Sequence, residues 1–290
     1  MDSVFRPDYT NQPDMELVSA SLQGSKEALE QLIRRHQTYV YNIAWKMVFH
    51  PHDAEDLTQD VLVKVITNLA TFKGESSFRT WLYRVVVNHF LNMPKRKAET
   101  MISDFGEYFG GLDVLEDEEL SEEEQRKREK EIDEVKISCT AGMLLCLDRE
   151  QRITYILGEI FEVNHQLGAE ILKISPDNFR QRLSRARKDL YSWMNNKCGL
   201  LNKSNPCRCT KKANAFVKQG WVDKHNLLFN TNYTQYIHEV ASSETDSGFE
   251  ISDKLYKDIY QHHPLQEVRN PDFLMKKILN NEVIKTLFRI

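Results

Sequence analysis

Three groups of residues in the 290-residue chain have types and spacings that could do chemistry. The first runs from Phe72 to Lys97. It interleaves Phe72, Trp81 and Tyr83 with Lys73 and Arg84, the hydroxyls of Ser76 and Ser77 and the amides of Asn88 and Asn92, and it ends on Lys95, Arg96 and Lys97. Flat rings stack on unpaired bases, amides read base edges and cationic side chains hold phosphates, so this mixture suits a single nucleic-acid strand. Rings on helices mostly pack, so on these residues alone a core role stands beside strand binding. The second group is Asn178, Arg180, Gln181, Ser184, Arg185, Arg187 and Lys188. Arg and Gln can bond base edges in a major groove, and Arg and Lys further along a helix meet phosphates. The bland alternative is a solvated basic face. The third group is Cys198, Cys207 and Cys209, thiols that could hold a structural zinc with His225, His165 or Cys146 as a fourth ligand. Their spacing is not that of a standard zinc finger. Reduced thiols beside a basic loop, or a redox switch, are the alternatives.

Covalent catalysis finds little support. The chain has no Gly-rich phosphate loop, no Gly-x-Ser-x-Gly elbow and no His-Glu-x-x-His helix. With 41% hydrophobic and 28% charged residues the composition is that of a soluble globular protein, and the length suggests about two domains. No apolar run approaches the roughly 18 residues of a membrane span, and the first residues lack the pattern of a secretory signal. Five cysteines without an export signal argue against a disulfide framework. The expected location is the cytoplasm, with no membrane partner and no required cofactor.

The elements that must position these groups read as helices. Glycine is scarce at 11 and proline at 8. Leu29, Leu32, Ile33, Tyr39, Val40, Ile43, Ala44 and Met47 recur at helical spacing up to the break at His50-Pro51-His52. Asp53 is the expected N-cap of a second helix that buries Leu57, Val61, Val65 and Leu69 and shows Asp56, Gln59, Asp60 and Lys64 on its other face. Ser77 can cap a third, with Phe78, Leu82, Val85 and His89 as its buried stripe. From Asp113 to Glu134 there are 12 acidic and 4 basic residues, a local balance of −8 within a net charge of −4. Residues 99–135 therefore read as a solvated acidic linker between two helical domains, 14–98 and 136–197. In the second domain a short helix over Gln166–Leu172, a turn at Lys173-Ile174-Ser175 and a basic helix over 176–191 starting at Pro176 form a helix-turn-helix layout. Residues 198–290 are a further, mostly helical segment with no assigned role, for which sensing or autoinhibition is the working hypothesis.

Two strings carry a family resemblance. Asp53-Ala54-Glu55-Asp56-Leu57-Thr58-Gln59, followed by Phe72-Lys73-Gly74-Glu75-Ser76-Ser77-Phe78-Arg79-Thr80-Trp81-Leu82-Tyr83-Arg84, closely resembles region 2 of bacterial RNA polymerase sigma factors of the small extracytoplasmic-function type. Arg182-Leu183-Ser184-Arg185-Ala186-Arg187 is similar to the closing signature of region 4, and Leu147-Asp148-Arg149-Glu150-Gln151-Arg152 to its opening. The chain departs from the pattern at Asp148, where the family has proline, and at Asn178-Phe179-Arg180-Gln181, so promoter preference does not carry over. The resemblance implies an all-α fold and a non-enzymatic protein that binds core RNA polymerase at the β′ clamp helices and β flap. It further implies promoter recognition and DNA melting, with an anti-sigma factor as an allowed further partner. Asp56, Gln59, Asp60 and Lys64 would dock on the polymerase. Phe72, Lys73, Ser76, Ser77, Trp81, Arg84, Asn88, Asn92, Lys95, Arg96 and Lys97 would hold the minus-ten strand. Asn178 to Lys188 would read the minus-35 duplex. Competing classes are a stand-alone helix-turn-helix repressor, an RNA-binding module, which the groove-reading helix disfavours, and a zinc enzyme, which lacks an evident general base.

Overall fold

The computed structural model describes residues 10–225, 227, 259–260, 268 and 270–288, and every regular element among them is helical. Within the expected mostly helical segment 198–290, the recurring apolar residues Leu228, Phe229, Tyr233, Tyr236, Ile237 and Leu255, the polar stretch 242–248, which reads as a loop, and His262-His263 lie outside the described residues. The chain divides into two compact units. The described part of the first is 10–98, 156–181, 268 and 270–288, and that of the second is 99–155, 182–225, 227 and 259–260. The serial division at 98, 135 and 197 is therefore not how the chain packs: the first helix of the helix-turn-helix belongs with residues 10–98, and the C-terminal segment contributes to both units.

The first unit opens with α1 (Gln12–Leu22), α2 (Lys26–Val48), α3 (Pro51–Thr67) and α4 (Phe78–Asn92). Ser25 caps α2 by accepting from Ala28 N at 3.2 Å. Leu29, Leu32, Ile33, Val40, Ile43, Ala44 and Met47 are all buried, as their spacing predicts. Asp53 is not the cap of α3. The helix starts two residues earlier at Pro51, and His50 Nδ1 accepts from Asp53 N at 3.4 Å. Proline's fixed φ suits a first helical position, so Pro51 starts this helix as well as ending the one before. Leu57, Val61, Val65 and Leu69 are buried, and α3 also buries Leu62 and Ile66. On α4 the buried set is wider than expected: Val85 and His89 are half-exposed, and Tyr83, Val86, Val87 and Phe90 join Phe78 and Leu82 in the core. The cause is that α4 packs against α2, α3 and α10 (His165–Leu172), and a helix with neighbours on several sides buries more than one stripe. Two charged groups sit in this core. Asp14 accepts from Arg35 Nε at 2.8 Å and lies 2.9 Å from His36 Nε2. Lys46 on α2 is fully buried, its Nζ has no hydrogen-bond partner, and burial lowers its pKa from 10.5 to about 7.

In the second unit the acidic block is solvated, as expected, but largely folded into helices and not a plain linker. It contributes α6 (Phe105–Asp113), α7 (Glu122–Lys127) and the start of α8 (Glu129–Leu145), with α5 (Lys97–Met101) just before. Ser121 and Glu124 form a reciprocal capping box on α7. Residues 113–119 lie against basic partners from residues 197–218. Asp113 meets Lys197 at 3.0 Å, Glu116 meets Lys218 at 3.1 Å, Asp117 meets Lys212 at 3.0 Å, and Glu119 pairs with Lys211. Lys211, Lys212 and Lys218 lie on α12 (Cys209–Lys218). A charge count of the block alone cannot show that its partners lie about 90 residues downstream. Phe105 and Phe109 stack on Trp193, with centroids 6.0 and 5.7 Å apart and planes 8° from parallel. Glu99, almost fully buried, accepts from Arg149 at 2.9 and 2.7 Å and from Arg152 at 3.0 Å, which compensates a buried carboxylate with two guanidinium groups. Arg149 and Arg152 stand at either end of the Arg149-Glu150-Gln151-Arg152 string on α9 (Arg149–Tyr155).

Candidate functional site

On α3 the expected docking residues Asp56, Asp60 and Lys64 lie in one exposed row at four-residue spacing, and Gln59 beside them is half-exposed. These side chains are free of core duty and present two carboxylates, an amide and an ammonium to a partner.

The loop 72–77 and α4 form the second part. Gly74 takes a left-handed φ of 73°, which turns the loop at little cost for a residue without Cβ. Ser77 Oγ accepts from Thr80 N at 3.1 Å and caps α4, as expected, and Asn11 Oδ1 accepts from Phe78 N at 2.9 Å. Phe72, Phe78 and Trp81 then cluster, with ring centroids 5.5 Å (Phe72 to Phe78), 5.5 Å (Phe72 to Trp81) and 5.7 Å (Phe78 to Trp81) apart. Phe78 is buried, whereas Phe72 and Trp81 are half-exposed, so two rings stand on a fixed base with faces available for stacking. Ser76 and Ser77 are half-buried beside them, and Lys73 is exposed. Asn88, Asn92, Lys95 and Lys97 are exposed further along, with Arg96 half-exposed; Asn92 Nδ2 donates to Asn88 O at 2.7 Å. Tyr83 leaves the group, because it is a core residue.

Arg84 is engaged inside the protein. Its Nε donates to Glu170 O and its Nη2 to Glu170 Oε1, both at 2.9 Å, where α10 packs on α4. Nothing in the sequence marks Glu170 as a partner of Arg84, since the residues are 86 positions apart. Both side chains are partly exposed, so the pair contributes at most about 1 kcal/mol. Glu170→Ala is expected to lower unfolding free energy by less than about 1 kcal/mol in a denaturant titration, while releasing Arg84.

The helix-turn-helix is built as expected. Asn164 Oδ1 accepts from Leu167 N at 2.9 Å and caps α10. Lys173 turns the chain with φ 54°, and Ile174 N donates to Ala169 O at 3.0 Å. Ser175 Oγ accepts from Asn178 N at 3.2 Å, and Pro176 opens α11 (Pro176–Lys197), which runs six residues beyond the expected end. A Cβ on Gly168 would lie 2.4 Å from the Phe179 ring, so glycine is what lets the two helices approach. Phe179, Ala186 and Leu190 are buried on α11; Leu183 is half-exposed. Asn178, Arg180, Gln181, Ser184, Arg185 and Lys188 are exposed on the helix surface, and Arg187 is half-exposed with its Nε buried. Arg180 also pairs with Asp177.

The thiols of Cys198, Cys207 and Cys209 and the buried Cys139 lie close enough to influence one another's ionisation. Cys198 is buried, Cys207 and Cys209 are half-exposed, and all are free. Among the described residues no three His, Cys, Asp or Glu side chains are placed to hold a metal ion. Burial pushes Cys198 up to about 11, Cys209 up to about 12 and Cys207 upward. No helix among the described residues is long and apolar enough to cross a membrane.

The Sigma-70 region 2 family model matches residues 32–100, which spans α3, the ring cluster and α4. RNA polymerase sigma factor YlaC of Bacillus subtilis is 30% identical over 165 residues, which is 57% of this chain and 91% of that protein. The ECF RNA polymerase sigma-E factor of Haemophilus influenzae is 28% identical over 186 residues, 60% of this chain and 92% of that protein. A solved structure of CnrH in complex with the cytosolic domain of CnrY covers 63% of this chain and 97% of its own, with a TM-score of 0.44 and 22% identity.

Proposed function

The chain belongs to the RNA polymerase sigma factors, in the extracytoplasmic-function group, and from that membership we propose how its residues divide the work of transcription initiation. The exposed row of α3, Asp56, Asp60 and Lys64 with Gln59, docks on the β′ clamp helices of core RNA polymerase. Phe72 and Trp81 take bases extruded from the non-template strand of the minus-ten element. Lys73, Arg84, Asn88, Asn92 and Lys95–Lys97 hold the strand and its phosphates. The exposed face of α11 enters the minus-35 major groove, Asn178, Arg180 and Gln181 toward the bases and Arg185, Arg187 and Lys188 toward phosphates.

The observation that carries this reading is the ring cluster: two half-exposed aromatics fixed on a buried third, beside lysine and serine side chains. Such a platform gains stacking only with unpaired bases. It therefore lowers the free energy of the melted state and not of the duplex, offsetting an unstacking cost of a few kcal/mol. Binding, without covalent chemistry, is the whole of the activity. The protein works where the polymerase works, in the cytoplasm, and an anti-sigma factor is a further partner of this class.

Affinity for purified core RNA polymerase tests the docking assignment. Gln59→Ala/Asp60→Ala is expected to weaken binding about tenfold, a loss of roughly 1.4 kcal/mol, with thermal unfolding unchanged because both side chains lie outside the core. Unchanged affinity would remove α3 from the interface.

A further inference from the structure

The two C-terminal helices α13 (Pro271–Leu279) and α14 (Glu282–Phe288) both pack on α3. Asn270 Oδ1 caps α13 by accepting from Phe273 N at 3.0 Å, with Pro271 at the first helical position. Leu274, Met275 and Ile278 of α13 and Ile284 and Phe288 of α14 are buried. Leu287 and Phe288 line a cleft of about 370 Å³ together with Leu22, Ile66, Thr67 and Ala70, which places α14 over the C-terminal end of α3. Arg34 on α2 bonds Asp272 at 2.9 Å. Helix α3 thus has four helical neighbours: α2 and α4 on the core side, and α13 and α14 from the far end of the chain. What is left open to solvent is a face of exposed His52, Asp56, Asp60 and Lys64 with Glu55, Gln59 and Val63 half-exposed beside them, and α14 borders this face at Ile66, Thr67 and Ala70.

We propose that α13 and α14 are a built-in cover on the docking helix α3, which core RNA polymerase must displace in order to bind. The inference rests on reading α3 as the docking helix. A helix with its side chains is about 10–12 Å across. A pair of clamp helices laid along α3 needs flank as well as crest, and at the C-terminal end of α3, by Ile66, Thr67 and Ala70, that flank is taken by α14.

The cover is made to come off. At nine and seven residues its helices are far below the length of about 12–15 at which an isolated helix becomes even marginally stable, so packing holds them and not propensity. The Arg34–Asp272 pair is largely exposed and adds little. Phe273, Val283 and Leu287 remain more than half exposed, so the cover buries only part of its apolar content on the protein. A competing surface with better complementarity to α3 then shifts the balance, and the apparent affinity of the free chain for polymerase is lowered by the fraction of molecules that are covered.

Two measurements on the full chain test this. In the first, Ile278→Asp puts a carboxylate into the buried seam, and affinity for core RNA polymerase is compared with wild type, each with and without Gln59→Ala/Asp60→Ala. The expected result is about tenfold tighter binding for Ile278→Asp, reversed by the α3 double substitution. Unchanged or weaker binding by Ile278→Asp, with the α3 substitutions still effective, overturns the cover and leaves the docking assignment standing. No effect of the α3 substitutions in the Ile278→Asp background overturns both. In the second, hydrogen exchange is read on the wild-type chain alone and with core polymerase, which needs no variant to fold. Amides of 271–288 are expected to lose protection on binding while those of α3 gain it. Protection of 271–288 retained in the complex overturns the proposal.

Discussion

Lys46→Met is expected to stabilise the protein by roughly 2–4 kcal/mol at about pH 7.5. Lys46 lies in the last turn of α2 with no exposed surface and no hydrogen-bond partner for Nζ, and burial brings its pKa from 10.5 to about 7. The direction of the linkage follows from who holds the proton. Above the unfolded value of 10.5 the amine is neutral in both states and costs nothing electrostatic. As pH falls from there, the unfolded chain takes up a proton that the folded chain refuses, so stability falls by about 1.4 kcal/mol per pH unit until the folded group also charges near pH 7. Below that the full penalty, of order 5 kcal/mol at most, is constant. Methionine has similar length and no charge to desolvate. The test is the difference in unfolding free energy between variant and wild type from pH 7 to 10.5. That difference should be largest near pH 7 and shrink toward pH 10.5, while titrations shared by both proteins cancel. A difference that does not change with pH would mean that Lys46 is charged and compensated in the native state.

Lys46 also shows where reading a sequence stops. Period located the helices of residues 26–92 and the helix-turn-helix, because that signal is local, as are the caps at Ser77 and Ser175, which each accept a bond from a backbone N–H three residues on; the cap expected at Asp53 falls on His50. The specific strings around Asp56 and Trp81 located the candidate site for the same reason. The failures depended on non-local partners. A stripe of Phe78, Leu82, Val85 and His89 is what α4 would bury with one neighbour; with α10 on another side, Tyr83 becomes core and Arg84 meets Glu170. The acidic block looked like a linker because Lys197, Lys211, Lys212 and Lys218, which pair with its exposed carboxylates, are distant in sequence. Three cysteines close in sequence suggested zinc, but the buried Cys139 that lies near them is distant in sequence and no spacing marks it. Local chemistry is legible from spacing; pairing between distant segments is decided by the packing of all of them at once.

The sharpest test of the proposed division of labour separates the melted strand from the duplex. Phe72→Leu/Trp81→Leu keeps apolar volume against Phe78, which limits the effect on folding, and removes both stacking faces. Base–aromatic stacking is worth about 1–3 kcal/mol per base, so losing two platforms is expected to weaken polymerase-dependent binding of a single-stranded minus-ten oligonucleotide about a hundredfold. Open-complex formation on a duplex promoter should fall in the same proportion, because the stacking gain is what offsets unpairing. Affinity for core polymerase should not change, since Asp56, Gln59 and Asp60 lie on another helix. Arg180→Ala/Gln181→Ala on α11 should do the reverse: binding to duplex carrying the minus-35 element falls, and binding to the melted strand stays. The contrast is informative because general damage to the fold would lower both readouts together. If the ring substitutions weakened duplex and strand binding equally, Phe72 and Trp81 would be supports for α4 and not the surface on which bases stack. The extruded bases would then have to be held by Lys73, Arg84, Asn88 and Asn92, through polar contacts whose loss on substitution depends on salt, whereas stacking does not.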